Sequence, residues 1–193
     1  MNTGINTRKL TTMGILAALS VALVFFIRFP IFPQAPFLEY DPADIPILIV
    51  AFAYGPVAGL IVTVIASLVQ GFTVSAHSGL YGILMHVIST GSYVLAAGII
   101  YRIMHSRLGV CLALVSGVIV SAAVMAAANL LITPLFMGVP VEAVKSMLLP
   151  VIIPFNLIKS GINGTVTFLL YKPISNLIKG RTAKPDNSCF PRA

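Results

Sequence analysis

The chain is predicted to be all-α: a polytopic integral membrane protein built as a six-helix bundle. Three observations predict this. Of 193 residues, 58% are hydrophobic and only 9% are charged, where soluble domains carry about 25% charged residues. Mean hydropathy is +1.01. Between Asp44 and Arg102 there is no Asp, Glu, Lys or Arg. That stretch is long enough for two or three crossings of about 20 residues each.

The elements follow in order. Residues 10–27 are the first apolar run, led by Arg8 and Lys9. A basic start imitates a signal peptide, but the apolar part is long. A Pro-rich segment follows it instead of a small-x-small cleavage site, so the run is a retained helix. Residues 28–42 form an outside loop stiffened by Pro30, Pro33, Pro36 and Pro42. Its aromatic, apolar character fits two arrangements. One is a lid over the bundle mouth; the other is an interfacial anchor, since Phe and Tyr favour that depth. Residues 43–53 are a second apolar helix, shorter than a full crossing. It ends at the turn signal Tyr54-Gly55-Pro56. A third runs to Gln70, and the two read as a buried hairpin. Residues 79–104, 108–136 and 151–178 supply the remaining helices, with a second long outside loop at 137–150. Residues 181–193 read as a disordered cytoplasmic tail, which leaves 1–180 as one membrane domain.

The charges orient these elements. Arg8 and Lys9 precede the first helix, Arg102, His105 and Arg107 separate the fourth and fifth, and Lys172, Lys179, Arg181 and Lys184 close the sixth. With six crossings all three groups fall on one side, which the positive-inside rule makes the cytoplasm. Both termini are therefore expected in the cytoplasm of a bacterial cell. Glu39, Asp41, Asp44 and Glu142 fall outside, against Arg28 and Lys145. Basic residues confined to helix ends also explain the net charge of +7 without nucleic acid.

The polar residues inside apolar runs carry the functional reading. Lys159 lies in the sixth helix, where a cation costs roughly 2.5–3.5 kcal/mol at the helix centre. Asn156, Lys159 and Asn163 stand at i, i+3 and i+7, a single helical face. Such a stripe lines a cavity for a polar ligand; the alternatives are an internal salt bridge and a snorkelling lysine. Asn129 lies at similar depth on the fifth helix and suits either a ligand edge or an interhelical bond. Gly14, Ala18 and Ala22 form a small-residue face, which serves either packing within the bundle or docking of a partner. His86 with Ser89 raises an intramembrane hydrolase, but no Gly-x-Ser-x-Gly accompanies them, and a hydrogen-bonded structural His fits better. Cys111 and Cys189 suggest neither disulfide nor metal site. No cofactor or metal is expected, and no catalytic residue is assigned. Lys159-Ser160 follows Ile158, so there is no phosphate loop. No carboxylate lies in the core of helices three to six, so a transporter of this kind needs an outside energy source.

The chain resembles the substrate-binding S components of energy-coupling factor vitamin importers, within them the riboflavin-specific type. The resemblance rests on Tyr40-Asp41-Pro42-Ala43-Asp44-Ile45-Pro46, on Phe52-Ala53-Tyr54-Gly55-Pro56-Val57-Ala58-Gly59 and above all on Pro154-Phe155-Asn156-Leu157-Ile158-Lys159-Ser160-Gly161-Ile162-Asn163. It spans about residues 8–179. It implies a pocket on the outer side, roofed in part by residues 28–42. Asn129, Asn156 and Lys159 would contact the ligand, and Leu38, Tyr40, Ser78, Gly79 and Tyr81 would complete the pocket. Asn163 faces either the pocket or a neighbouring helix. The implied ligand is riboflavin or flavin mononucleotide, carried as cargo. The implied partners are a transmembrane coupling protein, docked on the small-residue face, and two ATPase subunits. An S component for another vitamin, an intramembrane enzyme and a purely structural membrane protein are the competing readings.

Overall fold

A computed structural model describes residues 7–178. Helix α1 spans Thr7–Phe26, α2 Asp44–Tyr54, α3 Pro56–Phe72, α4 Gly79–Ile103, α5 Arg107–Met137, α6 Val141–Met147 and α7 Ile153–Ile178. Helices α1 to α5 and α7 are the six expected. By length and composition, four stretches can cross a membrane: α1, the Ala76–Ile103 segment, α5 and Val141–Tyr171. Helices α2 and α3 are shorter.

Helix α2 is the centre of the bundle, with every residue from Asp44 to Phe52 buried. A helix apolar all round belongs inside, not at a lipid face. Pro56 at the first turn of α3 removes a donor that would be unpaired there anyway. Gly55, at φ 96°, makes the break between the two helices, a conformation that favours glycine.

The contacts separate the bundle into two ends. At one, Phe52 of α2, Tyr101 of α4 and Tyr171 of α7 form an aromatic cluster, with Phe52 and Tyr101 centroids 4.8 Å apart. Lys9 of α1 lies over the Tyr54 ring. At the other, Arg28 just beyond α1 donates to the Val74 carbonyl just beyond α3, and Tyr81 of α4 meets Phe136 of α5. The helices thus alternate in direction, and the connections at 28–43 and 138–152 share one end. Exposed apolar side chains such as Ile15, Ile61, Val69, Ile119 and Leu169 cover the flanks, as a lipid-facing surface requires.

Helix α4 is locked at mid-height by Tyr93. A Cβ on Gly117 of α5 would stand 2.4 Å from its ring, and one on Gly164 of α7 would stand 2.4 Å from its hydroxyl oxygen. That hydroxyl donates to the Ser160 carbonyl at 3.2 Å.

Both long connections expected as loops contain regular structure. Residues 28–43 contain a small antiparallel ribbon, β1 (Phe29–Pro30) with β2 (Glu39–Tyr40), in register Phe29 to Tyr40. The expected loop at 137–150 is largely helical. Gly138, in the left-handed region at φ 65°, ends α5, then α6 runs into a wide π turn, Leu148–Ile152, and on into α7. Pro150 sits in that turn and has no N–H to give a regular helix. The tail at 181–193, with Cys189, Arg181 and Lys184, and Lys179 before it lie outside the described residues.

Candidate functional site

A cavity opens at the end that holds the connections at 28–43 and 138–152. Its wall takes residues from the loop after α1 (Phe37, Leu38, Asp41), from α3 (Ser67, Gln70), from α4 (Tyr81, His86), from α5 (Asn129, Thr133, Phe136) and from α7 (Phe155, Asn156, Lys159). Of the residues expected there, Leu38, Ser78, Tyr81, Asn129, Asn156 and Lys159 line it. Tyr40, Gly79 and Asn163 do not.

Lys159 has its partner in the Pro-rich loop at 28–42. Its ammonium lies 2.7 Å from the Asp41 carboxylate, and both side chains are buried. Lys159 both forms an internal salt bridge and lines the polar cavity. Burial pushes the Asp41 carboxyl up, but the Lys159 ammonium and the Ala43 N–H hold it below the ordinary carboxylate range. The Ala43 N–H donates to its other oxygen at 3.1 Å.

One turn further along α7, Asn163 braces this pair from behind. Its amide donates to the Asp41 carbonyl at 3.0 Å and to the Asp44 carboxyl at 2.9 Å. Its own oxygen accepts from the Tyr40 hydroxyl at 3.0 Å. Burial, then the charges of Asp41 and Asp44, push the Tyr40 hydroxyl up, so it stays protonated and donates. Asp44 also accepts from Thr90 of α4 at 2.6 Å. The expected stripe is therefore split. Asn156 and Lys159 face the cavity, while Asn163 joins α7 to α2 and the loop.

The amides at the cavity wall are held in place. Asn156 donates to the Ile152 carbonyl and Asn129 to that of Met125, each at 2.8 Å. Thr133 donates to the Asn129 oxygen at 2.8 Å. Each amide keeps hydrogen-bonding capacity for a ligand. At the rim, Arg28 pairs with Glu39 and donates to Val74 at 2.6 Å; His77 lies 3.2 Å from it. This joins the loop to the connection before α4. The two cations lining the cavity, Arg28 and Lys159, are thus each matched by a carboxylate.

His86 does not pair with Ser89 for hydrolytic work. Its Nδ1 lies 2.7 Å from the Ser67 hydroxyl of α3. No metal-ligating cluster occurs among the described residues. Sequence reasoning missed Asp41 as the counter-ion, and Ser67 and Gln70 as wall residues. Gln70 carried a signal: it is the sole amide side chain in residues 44–101.

Gly14 and Ala18 face outward on α1, and a Cβ on Gly14 would meet nothing within 4 Å. They lie with Ala22 in an apolar groove against Ile61, Ile65 and Val69 of α3. Packing within the bundle instead uses Leu16, Ala17, Ser20 and Val24.

A family model for the substrate-specific component of ECF transporters matches residues 8–171. The riboflavin transporter RibU of Staphylococcus aureus is 30% identical over 179 residues, covering 89% of this chain and 93% of that one. The riboflavin transporter FmnP of Bacillus subtilis is 30% identical over 172 residues, covering 84% and 89%. A solved structure of the S component of a bacterial ECF transporter superposes with a TM-score of 0.78 at 30% identity, covering 91% of this chain and 99% of that one.

The buried pair makes a testable energetic claim. Asp41→Asn or Lys159→Met alone leaves one charge unmatched and should destabilise the ligand-free protein by about 3–5 kcal/mol. Thermal unfolding in detergent reads this, and the double variant should regain most of the loss. Losses that add in the double variant would contradict the pairing.

Proposed function

The chain belongs to the substrate-specific components of ECF transporters, a family of transport subunits and not of enzymes, and we propose that its cavity binds riboflavin for import. The observation that carries this is the cavity at the loop-covered end, apolar on several sides and set with fixed amides. Phe37, Leu38, Met125 and Phe155 offer apolar surface to a flat ring, and Asn129 and Asn156 suit the donor–acceptor edge of its pyrimidine part. Leu38, Ser78, Tyr81, Asn129, Asn156 and Lys159 are the contact residues of this reading. Tyr40 and Asn163 act from behind by fixing Asp41, and Gly79 by turning the chain into α4. Because Lys159 and Arg28 already face carboxylates, no unmatched cation among the described residues lines the cavity for a phosphate. Riboflavin is therefore the ligand, ahead of flavin mononucleotide or another vitamin.

In this reading the cavity end faces outward. The end with Lys9, Arg102 and His105 faces the cytoplasm, in accord with the positive-inside rule, and places both termini there in a bacterial cell membrane. Gly14 and Ala18, which face outward, form with the half-buried Ala22 the docking face for the transmembrane coupling protein, a small-residue surface that another helix can approach closely. Two ATPase subunits bound to that protein supply the energy that this chain lacks a phosphate loop to provide.

Purified protein should quench riboflavin fluorescence on titration and bind flavin mononucleotide more weakly. Asn156→Ala should weaken riboflavin binding by about 3- to 10-fold, the loss of one neutral hydrogen bond. Protein that neither quenches nor carries flavin would sink this reading. For the docking face, Ala18→Leu should leave binding intact and abolish riboflavin uptake by cells; unchanged uptake would refute it.

A further inference from the structure

One corner of the cavity wall has no role in the reading above. Ser67 and Gln70, one turn apart on α3, and His86 of α4, which touches Ser67, all line the cavity there. The Ser67 hydroxyl donates its only proton to the Thr63 carbonyl at 2.6 Å. Its oxygen also lies 2.7 Å from His86 Nδ1. With the hydroxyl proton committed to Thr63, that contact requires a hydrogen on Nδ1, donated to Ser67. A neutral imidazole so arranged carries its free lone pair on Nε2.

Nε2 of His86 is buried and has no hydrogen-bond partner, and the same holds for Oε1 of Gln70. Buried polar atoms are nearly always paired in folded proteins. Both unpaired atoms here are acceptors, and both belong to residues of one cavity wall. What satisfies them must bring donors.

We propose that Gln70 and His86 form a subsite whose two unpaired acceptors, Gln70 Oε1 and His86 Nε2, take hydroxyl groups of the flavin's ribityl chain. The inference rests on the flavin reading of the cavity. Counting donors selects the chain over the ring. The isoalloxazine system of riboflavin offers a single N–H, whereas the ribityl chain carries a hydroxyl on each carbon beyond the first, so it can serve two acceptors at once. A terminal phosphate would bring mainly acceptors to the same corner. Ser67 is a positioning residue: it fixes which imidazole nitrogen is left free.

The test compares two flavins, riboflavin and lumiflavin, the latter with a methyl group in place of the ribityl chain. Fluorescence titration gives both dissociation constants for the wild type, for Gln70→Leu and for His86→Phe. Each substitution should weaken riboflavin by roughly 3- to 10-fold, one neutral hydrogen bond, and leave lumiflavin unchanged. Because both ligands are measured on one preparation, partial misfolding lowers the active fraction and not the ratio of constants. Equal losses for both flavins, or no loss for either, would overturn the subsite while the flavin reading stands. A wild type that binds neither flavin would overturn that reading, and the subsite with it.

Discussion

The pairing of Lys159 with Asp41 is the interaction on which the site depends. A lysine within an apolar helix and an aspartate folded in from a connecting loop each demand a partner when water is removed. At 2.7 Å they meet that demand together. The consequence is geometric. Asp41 can reach α7 only if residues 28–43 fold inward over the bundle mouth, so the pair decides where the roof of the cavity lies.

Other bonds hold the same loop at further points. Arg28 grips Glu39 and Val74 at the rim. The Ser20 hydroxyl of α1 donates to the Ala43 carbonyl at 2.8 Å, and Tyr40 reaches Asn163. Beneath them, α2 fills the bundle centre and brings Asp44 against Thr90 and Asn163. The cavity above is left with paired charges, fixed amides and apolar surface, a lining suited to a polar but uncharged ligand. Between the two arrangements the Pro-rich loop allowed, these bonds favour the lid.

The helical architecture was legible because bilayer-length apolar runs and helix-end cations follow directly from solvation. The short α2 was also legible, from Tyr54-Gly55-Pro56 and from its length. Two kinds of feature were not. Helix α6 and the π turn between Val141 and Ile152 lack the apolar run of a crossing, and Pro140 and Pro150 read as breakers, so the segment looked like a loop. The pairing of Asp41 was not legible because its partner is 118 positions away in sequence; hydropathy sees each residue alone and cannot match a loop carboxylate to a helix cation. Asn163 shows the same limit. Helical spacing put it on the face of Asn156 and Lys159, but spacing does not say how deep the cavity runs, and Tyr40, Asp41 and Asp44 take up its amide instead.

The central claim is that the ion pair pins the loop over the cavity. Hydrogen–deuterium exchange across residues 28–43 tests it most directly, comparing wild type with the Asp41→Asn, Lys159→Met double variant, in which no charge is left unmatched. The account predicts a folded bundle whose helix amides keep their protection while the amides of 28–43 exchange faster. Equal protection of that loop in both proteins would contradict it.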